Sequence, residues 1–124
     1  MGGRKVLLVD DEPDVLESLQ DLLQSSPLGV EVETAPDGAA ALRRLRGNGF
    51  VALVTDYRMP GMTGVDLAAA AHRLRPELPI VMITAFHSGD MEEEATQAGV
   101  DLLLRKPLDP ESFISALGSE IGFA

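Results

Sequence analysis

Short apolar runs rich in β-branched residues recur along the chain, and segments with helical spacing separate them. Four runs are clear and a fifth is weaker: 5–9, 30–34, 51–55, 80–84 and, last, 101–105. The first, third and fourth runs are nearly continuous in hydrophobicity, which is typical of parallel strands covered on both faces. The second run alternates valine with glutamate, and this indicates an edge strand with one solvated face.

The segments between the runs carry apolar residues three and four positions apart, as on one face of a helix. Helices are predicted over 13–25, over 38–47, after Thr63, over 88–98 and after Asp109. Strand and helix therefore alternate five times, which predicts a parallel α/β sheet with helices on both faces. Because the 124 residues show no internal repeat or linker, we expect one domain over 1–124.

Several residues mark where these helices begin or end. Pro13 suits a first helical position, and Asp37 is a predicted N-cap. Thr63 followed by Asp66 predicts a capping box, while Gly47 predicts the end of the second helix.

The segment 88–98 is the poorest helix of the set. The acidic run between Asp90 and Glu94 leaves only Met91, Ala95 and Ala98 for a core face. We therefore expect this helix to be present but weakly anchored.

Composition excludes several classes of function. The chain has no cysteine, so thiol catalysis, thiolate zinc sites and disulfide scaffolds are ruled out. A net charge of −10 and only 4% aromatic residues argue against direct binding to nucleic acid. The apolar runs, such as 79–83, are far shorter than the roughly 18 residues of a membrane span. Because no signal peptide is apparent either, we expect a cytoplasmic chain without a membrane contact.

Polar residues of complementary charge follow the predicted strands. Asp10 and Asp11 follow the first strand, Asp56 the third, Thr84 ends the fourth, and Lys106 follows the fifth. In an open α/β sheet, functional groups gather at the carboxyl ends of the strands. We therefore expect three carboxylates, a hydroxyl and an ammonium group to converge.

Such a cluster needs a cation. Two carboxylates about 4 Å apart repel by roughly 4 kcal/mol at an effective dielectric of 20. Mg²⁺ suits a site with few carboxylates and several retained waters. With the metal and Lys106 in place, a phosphoryl group would meet positive charge beside a carboxylate able to form an aspartyl phosphate.

The surroundings of the aspartates favour Asp56 as the nucleophile. It stands alone at the end of a strand, and the loop 57–64 after it is rich in turn-forming residues that would expose it to a bulky donor. Asp10 and Asp11 form a pair that is better suited to holding a metal ion and its waters.

Four segments together resemble a known family. They occur in that family's order and spacing: Val6–Glu12, Asp56–Gly64, Met82–Ala85 and Lys106–Pro107. With them, the chain from Lys5 to about Ile121 resembles the receiver domain of a two-component response regulator, a member of the CheY-like superfamily. The resemblance implies a flavodoxin-like, five-stranded parallel sheet of order 2-1-3-4-5 with helices on both faces.

The resemblance also implies roles for the acidic residues. Asp56 corresponds to the phosphoacceptor. Asp11, Asp56 and the backbone carbonyl of Arg58 correspond to the Mg²⁺ ligands, while Asp10 acts through a metal-bound water.

Three further positions follow from the same resemblance. Thr84 corresponds to the hydroxyl that bonds the phosphoryl group, and Lys106 to the lysine that pairs with it. The Lys106–Pro107 peptide corresponds to one that is commonly cis. Thr84 and Leu103 are the switch positions, but Leu103 stands where the family usually has a tyrosine or phenylalanine ring.

The resemblance implies a phosphorylation-controlled switch. A histidine kinase or phosphotransfer protein would donate the phosphoryl group, and the conformational change would control an output domain or target protein. The domain would catalyse only its own phosphorylation and dephosphorylation, and the family allows a homodimer. We expect the chain to be a segment of a longer regulator, because it ends where receivers usually meet a linker.

Three other functions can be compared with the same residues. A pseudo-receiver that acts only as a protein–protein interaction module is favoured by Leu103 but not by the complete acidic and lysine set. A phosphatase resembling the haloacid dehalogenases needs a second aspartate where Arg58 stands. A flavodoxin-like cofactor carrier needs a phosphate loop after the first strand, which the sequence lacks. His72 and His87 receive no role.

Overall fold

Strands and helices alternate strictly in the computed structural model, which describes residues 4–85 and 88–122. The strands are β1 (Lys5–Val9), β2 (Glu31–Ala35), β3 (Phe50–Asp56), β4 (Ile80–Thr84) and β5 (Leu102–Arg105). The helices are α1 (Pro13–Gln24), α2 (Gly38–Arg44), α3 (Gly64–Leu74), α4 (Gly89–Gln97) and α5 (Pro110–Glu120). Each predicted strand and helix is therefore confirmed.

All five strands join one parallel sheet in the order β2-β1-β3-β4-β5. This order confirms the predicted fold class. It also confirms that the alternating second strand lies at an edge and that the three continuous apolar strands lie inside. Because the strands are parallel, the carboxyl ends of β1, β3, β4 and β5 all meet at one edge of the sheet.

The register of the sheet brings the strand ends level. Val9 is opposite Thr55, so Asp10 follows at the height of Asp56. Asp56 is opposite Ile83, one position before Thr84. Thr84 is in turn opposite Arg105, immediately before Lys106.

Two apolar layers cover the sheet, one on each face. One layer packs α1 and α5 against the sheet through Leu23, Phe113 and Leu117. The other packs α2, α3 and α4 through Ala41, Leu67 and Ala95. Burial on both faces explains why β1, β3 and β4 are almost continuously apolar. No helix in residues 4–85 and 88–122 is long and apolar enough to cross the hydrocarbon core of a bilayer.

The predicted helix starts are confirmed by hydrogen bonds. Pro13 is the first residue of α1, and the Asp37 side chain accepts from the backbone N–H of Ala40. Thr63 and Asp66 form the predicted capping box, each side chain accepting from the other residue's backbone N–H. Such caps satisfy donors that a helix start leaves without a partner.

The predicted end of α2 at Gly47 is wrong. The helix ends at Arg44, and the chain then tightens into a turn. In that turn Arg46 N–H donates to the Arg43 carbonyl and Gly47 N–H to the Arg44 carbonyl. These bonds to the third preceding residue replace the helical pattern, so the apolar spacing outlasts the helix.

Helix α4 is short and acidic. Met91 and Ala95 are buried, while Ala98 is only half-buried and follows the helix. Ser88 caps its start by accepting from Met91 N–H. Two buried side chains are a small apolar contribution for a helix of nine residues.

Gly64 couples the start of α3 to the end of β3. Its N–H donates to the Tyr57 carbonyl at 2.9 Å, and its Cα lies so near Asp56 that an added Cβ would overlap the Asp56 backbone carbonyl. Because backbone atoms of a buried strand cannot yield as a flexible side chain can, only glycine fits here.

We predict that Gly64→Ala lowers the free energy of unfolding by about 1–3 kcal/mol, because the new methyl group forces α3 away from β3. Urea denaturation measures this value. Gly89→Ala is the matched control, because an added Cβ there meets open space. Equal stability of Gly64→Ala and the unsubstituted protein would show that α3 does not constrain the Asp56 backbone.

Candidate functional site

The predicted site residues meet at the carboxyl edge of the sheet. A concavity of about 300 Å³, here called the acidic pocket, has seven lining residues: Asp11, Glu12, Asp56, Arg58, Thr84, Ala85 and Lys106. The loop after β1, the end of β3, the end of β4 and the loop after β5 each contribute to it. The convergence expected from the sequence is therefore present.

Three carboxylates crowd one side of the acidic pocket. One oxygen from each of Asp10, Asp11 and Asp56 lies within 4.8 Å of the others. Asp10 is 3% exposed and Asp56 is 9% exposed, whereas Asp11 is open to solvent. The Asp10 Oδ1 atom accepts from Glu12 N–H at 2.9 Å, which fixes the turn that leads into α1.

Burial raises the pKa of Asp10 from 3.8 to about 6. The hydrogen bond from Glu12 N–H opposes this rise, and the negative charge of Asp56 adds to it. A carboxyl that resists ionisation in this way is held in surroundings where a cation would lower its energy.

Both oxygens of Asp56 have hydrogen-bond donors. Lys106 Nζ lies 2.8 Å from Oδ1, and Arg58 N–H donates to Oδ2 at 3.2 Å. Burial alone would lower the pKa of Lys106, but the hydrogen bond and charge of Asp56 outweigh burial and raise it above 10.5. The ammonium group therefore stays charged beside the Asp56 carboxylate.

Thr84 and the Lys106 loop are joined through the backbone. Lys106 N–H donates to the Thr84 carbonyl at 2.8 Å, and Thr84 is 2% exposed. The Lys106–Pro107 peptide is cis, as the resemblance implied. Leu103 is half-buried and packs against the apolar layer of α2, α3 and α4, on the strand that leads to Lys106.

Two lining residues received no role in the sequence analysis. Glu12 and Ala85 both line the acidic pocket. The charge of Glu12 faces Lys106, and the unbroken acidic run 10–12 was the available signal for it. His72 lies away from the pocket, with its ring against Gly99, and His87 lies outside the described residues.

The donor set of the acidic pocket fits a hard divalent cation. Oxygen ligands are those that Mg²⁺ prefers, and one or two carboxylates with retained waters complete its usual octahedron. Asp11 is accessible, Asp56 is oriented, and Asp10 is near enough to reach an ion through water. Burial is the main cause of the raised pKa of Asp10 and the charge of Asp56 adds to it, and a bound cation would oppose both effects.

We predict that Asp10→Asn stabilises the protein at pH 7.5 without divalent cations, by about 1–3 kcal/mol. The pKa of Asp10 is about 6 in the folded state against an ordinary 3.8, so the folded state binds the proton more tightly. Wild-type stability should therefore fall, relative to the variant, as pH rises from about 4 through 6.

Urea denaturation at pH 4 and pH 7.5 measures this difference. Asp21→Asn on the exposed face of α1 is the control for the loss of one carboxylate. A gain for Asp10→Asn that is equal at both pH values would contradict the raised pKa.

Comparison with known proteins relates this geometry to a family. The family profile described as "Response regulator receiver domain" matches residues 6–118. The chemotaxis protein CheY of Pseudomonas aeruginosa is 41% identical over 105 residues, which cover 83% of this chain and 84% of CheY. The transcriptional regulatory protein PrrA of Mycobacterium tuberculosis is 41% identical over 103 residues, which cover 83% of this chain but 43% of PrrA.

Solved structures show the same similarity. The chemotaxis protein CheY4 of Vibrio cholerae superposes with a TM-score of 0.88 at 32% identity, covering 95% of this chain and 98% of that one. A CheY-like receiver domain protein of Methanospirillum hungatei gives a TM-score of 0.90 at 27% identity, covering 98% and 95%. The chain thus spans most of the CheY proteins and less than half of the longer regulator PrrA. By sequence and by fold, it belongs to the receiver domain family of two-component response regulators.

Proposed function

We propose that this receiver domain accepts a phosphoryl group on Asp56 with the help of Mg²⁺, and that residues 1–124 form one such domain. The observation that carries the proposal is the Asp56 carboxylate, held 2.8 Å from the Lys106 ammonium and within 4.8 Å of two further carboxylates. Because each oxygen of Asp56 accepts a hydrogen bond, one from Arg58 N–H and one from Lys106 Nζ, its carboxylate is held in one orientation.

The chemistry is a transfer between two nucleophiles. An Asp56 oxygen attacks the phosphorus of a phosphohistidine, a P–O bond forms and the P–N bond breaks. The imidazole nitrogen leaves with the electron pair and is protonated. Lys106 and the Thr84 hydroxyl would bind oxygens of the incoming phosphoryl group, because both stand at the acidic pocket beside Asp56.

The metal would be held by this chain's oxygen atoms. Asp11, Asp56 and the Arg58 backbone carbonyl would be ligands, and Asp10 would act through a bound water. When bound, Mg²⁺ neutralises charge on the carboxylates and on the phosphoryl oxygens. The backbone of Arg58 is close to the other proposed ligands, because its N–H donates to Asp56 and the residue lines the pocket.

A donor would need access to Asp56 from outside. A groove of about 480 Å³ beside the acidic pocket is lined by Asp10, apolar side chains of α1 and the Lys106–Leu108 loop. An apolar helix face of a histidine kinase or phosphotransfer protein would fit such a groove.

The receiver consumes one phosphoryl group per Asp56, so it catalyses only its own phosphorylation and dephosphorylation. We place this chemistry in the cytoplasm.

The output would be a conformational change in the fourth and fifth α/β units. Thr84 lies at the acidic pocket, Leu103 packs on the layer that includes α4, and α4 buries only Met91 and Ala95. A weakly anchored helix can change its position at low energetic cost, so it is the element expected to differ between the two conformations. This conformational change would control an output domain or target protein, and a homodimer is one arrangement of the active state.

The alternative is a pseudo-receiver that acts only as an interaction module. Leu103 favours it, since leucine lacks the ring that usually reports the movement of Thr84. The ion pair between Lys106 and Asp56 inside a cluster of carboxylates favours phosphorylation.

We predict that incubation with acetyl phosphate and Mg²⁺ adds one phosphoryl group to the wild-type protein and none to Asp56→Asn. Intact-mass spectrometry measures the gain, and loss of the adduct in hydroxylamine identifies an acyl phosphate. Asp21→Asn, an exposed aspartate on α1, is the control and should be labelled like wild type. Full labelling of Asp56→Asn would refute this acceptor, and no labelling of wild type would favour the pseudo-receiver.

We predict that Mg²⁺ changes the fluorescence of Tyr57 in a saturable way. Tyr57 is the single tyrosine of a chain without tryptophan, and it directly follows Asp56. Asp11→Asn should weaken the apparent affinity at least about tenfold, equivalent to roughly 1.4 kcal/mol, because a charged ligand is lost. Asp21→Asn should leave the titration unchanged, and an unaltered affinity in Asp11→Asn would contradict the ligand assignment.

A further inference from the structure

Positive charge is concentrated on a surface remote from the acidic pocket. The chain has a net charge of −10, yet five of its ten basic residues lie near the carboxyl ends of α2 and α3: Arg43, Arg44, Arg46, Arg73 and Arg75. Both helices end where the next strand begins, at the edge of the sheet opposite the pocket. Arg43, Arg46, Arg73 and Leu74 are here called the basal surface.

The two helix ends are held together. Arg75 Nη2 donates to the Gly47 carbonyl at 2.8 Å, joining the turn after α3 to the turn after α2. The helices also share the apolar layer that includes Ala41 and Leu67. The arginines of both helices therefore belong to one continuous surface.

Leu74 supplies an apolar group at this surface. It is 44% exposed and is the large hydrophobic residue exposed within the part of the chain that the structure describes. His72 packs its ring against Gly99, after α4. With about 3.6 residues per turn, a residue two positions later points to the opposite side of α3. Leu74 therefore lies on the side of α3 that faces α2.

The arginines of the basal surface are not neutralised. Arg44 is different, because it lies 3.4 Å from Glu33, which also binds Lys5 at 3.0 Å. For Arg43, Arg46 and Arg73 there is no side-chain hydrogen bond or ion pair with any residue in 4–85 or 88–122.

Helix dipoles explain only part of this arrangement. Cations at a helix carboxyl end stabilise it by about 0.3–1 kcal/mol, which accounts for Arg43 and Arg73 in the last turns of α2 and α3. Arg46 follows the end of α2, and the dipole gives no reason for an exposed Leu74.

We propose that the basal surface binds an acidic amphipathic segment of a partner protein, with carboxylates on the arginines and an apolar side chain on Leu74. Arginine pairs with carboxylates in bidentate geometry and is enriched at protein interfaces. The apolar Leu74 distinguishes a protein segment from a nucleic acid strand. A second copy fits less well, because the acidic run on α4 buries its apolar Met91. This binding does not require phosphorylation of Asp56.

The test is an NMR titration of the labelled protein with two synthetic helical peptides. Both have leucine at every third or fourth position, and the remaining positions are glutamate in one peptide and lysine in the other. Net charge alone predicts that only the lysine peptide binds a chain of charge −10. We expect the glutamate peptide to bind, with salt-sensitive shifts confined to the ends of α2 and α3.

Matched variants locate the contact. Arg73→Glu should weaken binding of the glutamate peptide at least about tenfold, and Leu74→Ala should weaken it several-fold. Arg105→Glu makes the same change in net charge at an exposed site on β5 and should have a much smaller effect. Circular dichroism checks that each variant is folded.

Five results would overturn the proposal. Three of them are no binding of the glutamate peptide, shifts elsewhere on the protein, and equal weakening by Arg73→Glu and Arg105→Glu. The other two each reveal a different occupant of the basal surface. Oligodeoxythymidylate binding that is independent of Leu74 would indicate a polyanion site, and self-association that blocks the peptide would indicate a second copy.

Discussion

Repulsion among three carboxylates at one edge of the sheet is the constraint on which the site depends. Asp10, Asp11 and Asp56 place an oxygen each within 4.8 Å, where two full charges about 4 Å apart would repel by roughly 4 kcal/mol at an effective dielectric of 20. Burial, with a smaller contribution from the charge of Asp56, raises the pKa of Asp10, and the ion pair of Lys106 with Asp56 partly offsets the crowding. A divalent cation would offset it further.

The sheet fixes the distance between the chain segments that carry Asp10 and Asp56. Val9 and Thr55 are paired in register, and apolar layers bury β1 and β3 on both faces. Separating Asp10 from Asp56 would require breaking that pairing, so the energy of the core maintains the crowding. The fold thus keeps several negative charges close together in one pocket, where binding of a cation or a phosphoryl group changes the net charge.

Much of this was predictable from the sequence, because strand runs and motif spacing are local signals. The strands, the caps at Asp37 and Thr63, and the convergence of the strand ends all followed from it. The end of α2 did not, since the apolar spacing continues to Leu45 after the hydrogen bonding has changed. The burial of Asp10 and the basal surface depend on how distant segments pack, and no local pattern encodes that packing.

We propose that the acidic pocket holds a divalent ion against Asp56. Paramagnetic line broadening by Mn²⁺, measured for every backbone amide and reversed by excess Mg²⁺, tests this claim most directly. An ion held there requires that low Mn²⁺ first broadens the amides of Asp11, Asp56 and Arg58, and that Asp11→Asn abolishes this selectivity. Broadening that begins instead at the acidic run of α4, or that Mg²⁺ fails to reverse, would contradict it.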